Sequence, residues 1–341
     1  YVDNQLLVSH PDTTASVFSF TANAYGTGKK YLNYEVIHDG ITYRDSVYYI
    51  VQDPVVVQDP PAGTVDGLNV LSDTSVILQM TAPGKNFVYA IGDFSNWELD
   101  PAYSMYQTTD GNRWWVQING IDPSRKYRYQ FHVDQEGMRV GDVYSELQLD
   151  PWNDPFIPAS VYPGLPAYPT SKTTNMVSVF HLGETEYQWD PSINYTRPAK
   201  EELVVYELLV RDFLHSHSYM GIIDTLNYLQ NLGINAIELM PVNEFEGNIS
   251  WGYNPAYFMA PDKYYGSKDA LKMFIEECHR RGIAVLVDAV LNHSFGQNPQ
   301  VMMYFDQSAG QWGQPTPDNP WFNEVAKHDF NVGYDYNHES A

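Results

Sequence analysis

At 341 residues the chain is longer than one ordinary domain, and length alone predicts two or three. Its formal net charge of -23 argues against nucleic acid or an anionic membrane as partner, because both are held through basic patches. A neutral, hydroxyl-rich ligand meets no such repulsion. The single cysteine, Cys278, excludes an intramolecular disulfide, and no apolar run reaches membrane-spanning length.

Residues 1–57 read as all-β. The stretch 31–37 alternates, His38-Asp39-Gly40 has turn chemistry, and 42–51 is β-branched and aromatic. A small sandwich, or part of one, is expected there, followed by a linker over 58–63. Residues 64–162 carry short strands at 75–81, 86–91, 113–118 and 126–133. Turn residues separate them, as in an immunoglobulin-like sandwich. Pro151, Pro155, Pro158, Pro163, Pro166 and Pro169 exclude helix and central strand, and 163–199 reads as an extended connector.

From residue 200 the period changes. Apolar runs at 204–210, 236–242 and 284–291 suit strands buried on both faces. Between them lie two helices. The first carries Ile222, Ile223, Leu226 and Leu229 and stops at Gly233. The second spans 267–281, with Leu271, Phe274, Ile275 and Cys278 on its inner stripe, which makes Cys278 a buried thiol. This β-α-β-α-β order predicts parallel strands with right-handed crossovers. No Gly-rich phosphate loop follows the first strand, which disfavours nucleotide binding. Polar pairs follow each strand instead: Arg211-Asp212, Asn243-Glu244 and Asn292-His293. Parallel strands bring these ends to one rim, so a barrel with an active-site rim fits better than an open sheet.

Two sets of residues carry a resemblance. Val88-Tyr89-Ala90-Ile91-Gly92-Asp93-Phe94-Ser95-Asn96-Trp97, with Tyr127-Arg128-Tyr129-Gln130-Phe131 after it, resembles the glycogen-binding type of sandwich that precedes many α-amylase family barrels. Glucan contact by Trp97 and Trp114 follows from that resemblance, against core packing of these two and Trp115 as the commoner fate of tryptophan. Farther on, Asp288-Ala289-Val290-Leu291-Asn292-His293 resembles the D-x-V-x-N-H signature of the α-amylase family of glycoside hydrolases. Trp251-Gly252-Tyr253-Asn254-Pro255, Tyr264-Tyr265-Gly266, Val205-Tyr206-Glu207 and Val210-Arg211-Asp212-Phe213 are similar to that family too, in order and in spacing.

The resemblance implies a multidomain chain: immunoglobulin-like sandwiches, then an incomplete (β/α)8 barrel over 200–341. It implies a retaining α-glucan hydrolase, with a glucan branching or transferring enzyme and a non-catalytic glucan-binding protein as alternatives. Tyr253 would stack on the sugar at the cleavage point, His293 would hydrogen-bond its hydroxyl, and Asp288 would support the cleft. Asn292 matches a position that binds calcium in many members; no organic cofactor is implied. Glu207, Asp212, Glu238 and Glu244 are expected to be structurally paired or solvent-exposed. Retaining hydrolysis needs two carboxyl groups about 5 Å apart. The family's G-x-R-x-D nucleophile and its acid Glu are not found through Ala341, so both are expected beyond it, and this chain alone is expected to be inactive. By analogy, the protein is secreted, periplasmic or at the cell surface.

Overall fold

The computed structural model describes residue 9 and residues 28–134, 138–309, 313–329 and 332–340. Strands β1 (Gly28–His38) and β2 (Ile41–Val51) pair in unbroken antiparallel register from Gly28↔Val51 to His38↔Ile41. The turn between them has two residues, Asp39 and Gly40, both at positive φ. That is the tight turn whose twist matches the flanking strands. The sandwich expected over 1–57 is, among the described residues, this two-stranded hairpin; residues 1–8 and 10–27 of that stretch lie outside them. The expected linker is tied down: Gln58 bonds Gln107 along the backbone, and its carbonyl accepts from the Trp115 indole at 2.7 Å.

The next unit is an antiparallel sandwich. One sheet orders β3 (Gly67–Ser72), β4 (Ser75–Thr81), β7 (Arg113–Asn119) and β6 (Tyr106–Gln107). The other orders β10 (Gln148–Leu149), β11 (Val177–Phe180), β8 (Tyr127–Val133) and β5 (Val88–Gly92), with β9 (Arg139–Val140) also on β8. The four strands expected here all form. The boundary moves, however: β11 falls inside the expected connector yet pairs with β8, so the sheet closes near residue 180. Its four residues are too few to show a period, and they are buried from two sides: Phe180 meets Tyr127 and Tyr129 ring to ring, while Val177 and Val179 pack with Tyr89, Ile91 and Trp97.

The two candidate glucan-contacting tryptophans are corrected by this packing. Trp114 is 0% exposed and donates from its indole to the Ala82 carbonyl at 3.0 Å. Trp97 is 5% exposed and donates to Asp93, which also clamps Arg128. Neither ring offers a face to a ligand. Both are among the largest apolar groups of the sandwich, and burial of that area outweighs display.

The last unit is a parallel sheet, β12 (Val205–Leu208), β13 (Ala236–Leu239) and β16 (Ala284–Val287), in the order β12-β13-β16. All three strands are shorter than their apolar runs. A helical turn, α1 (Val210–Phe213), takes the end of the first run. The expected single helix is two, α2 (Tyr219–Ile223) and α3 (Leu226–Asn231). The second expected helix, α4 (Lys268–Arg280), is capped by the Ser267 hydroxyl accepting from Ala270 N–H, and Gly282 follows at positive φ. Leu208, Ile237 and Leu239 are buried in one cluster with Tyr219, Leu226, Phe274 and Cys278. Burial pushes the Cys278 thiol up to about 12, as suits a packing residue rather than a nucleophile. The expectation of strands buried on both faces fails for Val205, Glu207 and Val287, which are exposed.

Sandwich and parallel unit are packed together. Met303 and Tyr304 join the sandwich core, Tyr304 donates to the Pro83 carbonyl, and Lys85 lies 4.0 Å from the Tyr304 ring centroid. Among the described residues no helix is long and apolar enough to cross a membrane.

Candidate active site

The site is assembled where β13 and β16 end. Asp288, the residue after β16, donates its backbone N–H to Leu239, the last residue of β13, at 2.9 Å. Its half-buried carboxylate therefore leaves the sheet at the carboxyl rim, where folds of this kind carry their chemistry.

The aromatic partner comes from the loop between β14 (Asn243–Phe245) and β15 (Pro255–Pro261). Gly252 is obligatory in that loop. It has φ 92°, and a Cβ there would sit 2.3 Å from the Pro241 carbonyl oxygen. The Ser250 hydroxyl accepts from Gly252 N–H at 2.9 Å and contacts the Asn254 side chain, while the Asn254 amide donates to the Glu246 carbonyl at 2.8 Å. The loop is thus fixed at both ends, with Tyr253 between.

Tyr253 donates its phenol to Asp288 Oδ2 at 2.6 Å. That hydrogen bond is the main reason the phenol is pushed up to about 12; partial burial and the nearby Asp288, Glu207 and Glu238 charges act in the same direction. Tyr253 is therefore neutral at physiological pH, and with 37% of its surface exposed its ring is open to a ligand. His293 opens β17 (His293–Ser294). It is 6% exposed, its Nε2–H donates to the Tyr253 carbonyl at 2.8 Å, and its Nδ1 faces the Asn292 side-chain amide at 3.1 Å.

Tyr253, Asp288 and His293 thus share one site. The expected direct bond from His293 to a sugar finds both ring nitrogens turned to protein groups, so in this structure the imidazole holds the backbone of Tyr253. Asn292 is exposed and supplies one amide oxygen, which faces that imidazole. Among the described residues no three His, Cys, Asp or Glu side chains come together as a metal site. Calcium takes six to eight oxygens, whereas Asn292 offers a single amide oxygen that already faces His293.

Of the four carboxylates set aside from sequence, three behave as expected, Glu207 among them as a solvent-exposed group. Glu244 is buried against Lys263, and Asp212 pairs with Arg211 at 2.6 Å. Glu207 and Glu238 stand opposite each other in the parallel register and bear on the Tyr253 phenol, so they belong to the site's surroundings. Only the register shows that; two isolated glutamates in apolar runs carry no such signal. The chemistry available is an aromatic face beside acceptor oxygens, which suits a ring-shaped ligand rich in hydroxyls.

Residues 215–336 match the family described as "Alpha amylase, catalytic domain". A malto-oligosyltrehalose trehalohydrolase from Saccharolobus solfataricus is 34% identical over 163 residues, covering 48% of this chain and 27% of that protein. A 1,4-α-glucan branching enzyme from Photobacterium profundum is 26% identical over 348 aligned residues, covering 97% of this chain and 44% of that protein. Among solved structures, a putative α-amylase from Salmonella typhimurium aligns with a TM-score of 0.59 at 23% identity. It covers 80% of this chain and 38% of that one, a likeness of fold. The chain spans less than half the length of each of these proteins.

Proposed function

We propose, from the premise that residues 215–336 are an α-amylase-type catalytic segment, that the protein acts on α-glucan, with retaining hydrolysis of internal α-1,4 bonds as its reaction. The observation that carries this reading is the meeting of Tyr253, Asp288 and His293 at the carboxyl ends of neighbouring parallel strands. On this reading the Tyr253 ring stacks on one sugar, Asp288 accepts from a sugar hydroxyl, and His293 fixes the backbone on which the ring is mounted.

A second reading, glucan branching, is favoured by the alignment with a branching enzyme along 97% of the chain. Products separate the two: shorter linear oligosaccharides accompany hydrolysis, and new branch points accompany transfer. The nucleophile and acid of retaining hydrolysis are not among the carboxylates assigned here. The 341-residue chain is therefore expected to bind soluble starch without releasing reducing ends, while any longer form that carries such a carboxyl pair is expected to release them. Reducing-end release by the 341-residue chain, at the rate of the longer form, would overturn the assignment.

A further inference from the structure

A cavity elsewhere in the molecule is lined by none of the residues placed at this rim. It holds about 340 Å³ at the junction between the sandwich and the first turn of α4, and none of Tyr253, Asp288 and His293 lines it. That volume is at the lower end of the range of small-ligand sites, about 300–1,000 Å³, which favour domain junctions.

Its walls combine two kinds of group. Tyr144, 45% exposed, and the half-buried Tyr162 supply ring surface. Tyr144 is seated over Gly67, where a Cβ would come within 2.8 Å of its own Cβ, so the close approach depends on glycine. Lys268, the first residue of α4, holds Glu146 at 2.8 Å and Glu184 at 2.6 Å, which fixes two carboxylates from the sandwich side on one ammonium. His181, also in the lining, has a buried Nε2 without a hydrogen-bond partner among the described residues. A buried polar atom of this kind costs free energy until something satisfies it.

Those features select the ligand class. An anion would meet carboxylates on an acidic protein, and a small cation would compete with Lys268 for the oxygens it already holds. A neutral polyol is different: each hydroxyl both donates and accepts, so it can give to a carboxylate and take from an ammonium or imidazole, while its ring lies on a tyrosine face. We propose that this junction is a second α-glucan site, which takes a short oligosaccharide stretch on Tyr144, Tyr162 and the Glu146–Lys268–Glu184 group. The proposal rests on the α-glucan reading above and adds a site that spans sandwich and barrel segment.

Calorimetric titration of the chain with maltoheptaose tests it. Two binding events are expected. Tyr144→Ala should weaken one of them at least tenfold, Tyr144→Phe should retain it through the ring, and Glu184→Gln should weaken it without changing the melting temperature. Tyr253→Ala should remove the other event. Two events unchanged in both Tyr144→Ala and Glu184→Gln overturn the junction site, as does a single event in the parent chain that Tyr253→Ala abolishes. Two events that survive Tyr253→Ala, with one of them lost in Tyr144→Ala, sustain the junction site and count against the rim. Should Tyr144→Ala fail to fold, Glu184→Gln alone decides.

Discussion

Tyr253 gains its properties from a single contact. Its phenol gives a 2.6 Å hydrogen bond to Asp288 and is pushed up to about 12 chiefly by that bond. The sign follows directly. A phenol whose folded pKa lies above its ordinary value of about 10 favours the folded state below pH 10, and that contribution is lost as pH rises from about 10 to 12. Asp288→Asn removes the charge that holds the proton. The Tyr253 Cζ resonance, followed by carbon NMR on tyrosine-labelled protein, should then titrate closer to pH 10. An unchanged midpoint would show that the hydrogen bond does not govern the phenol. His293 and Gly252 act on the same ring at one remove, by fixing the peptide that carries it.

Helix α4 shows how local chemistry sets an element that the site depends on. Its 13 residues begin where the Ser267 side chain satisfies the Ala270 N–H, and they bury Phe274 and Cys278 against the parallel sheet. Ser267→Ala should lower stability to denaturant by about 1 kcal/mol, the usual size of an N-cap, with no change in the slope of the unfolding transition. A loss well below that would place the helix start under tertiary control. By contrast, α2 and α3 replace one expected helix. Ile222, Leu226 and Leu229 still reach the core, so the apolar spacing was legible while the break was not.

At the scale of the molecule, the sandwich side and the parallel unit are held together by buried charge as well as by rings. Lys263, 2% exposed, contacts Glu244 from the strand following β13 and lies 3.3 Å from Asp154, which belongs to the proline-rich stretch. Burial pushes the neighbouring Asp262 carboxyl up, with Lys263 opposing. Breaking one partner of a buried ion pair leaves an uncompensated charge, and Lys263→Met should destabilise the chain by about 3–5 kcal/mol. Glu244→Gln in the Lys263→Met background should recover part of the loss. Equal stability of single and double variants in urea unfolding would show that the pairing is not what binds the units.

Much of this is legible in the amino-acid sequence alone. Alternating and continuous apolar runs marked the sandwich strands and the three parallel strands, because strand periodicity is written in consecutive residues. The order of the polar pairs marked one rim, and Asp288, Tyr253 and His293 do meet there. What stayed hidden depends on partners distant in the chain. Strand β11 is a strand only because β8 lies beside it, Trp114 is core because both sheets close over it, Trp97 is buried against β5, β10 and β11, and Glu207 faces Glu238 only through register. The junction cavity has no trace in sequence at all, since its walls come from the sandwich, the connector and α4. Residue type and spacing decide which segments can form and what chemistry they carry; which faces are covered, and which side chains meet across elements, is decided by packing, where long-range burial outweighs local preference.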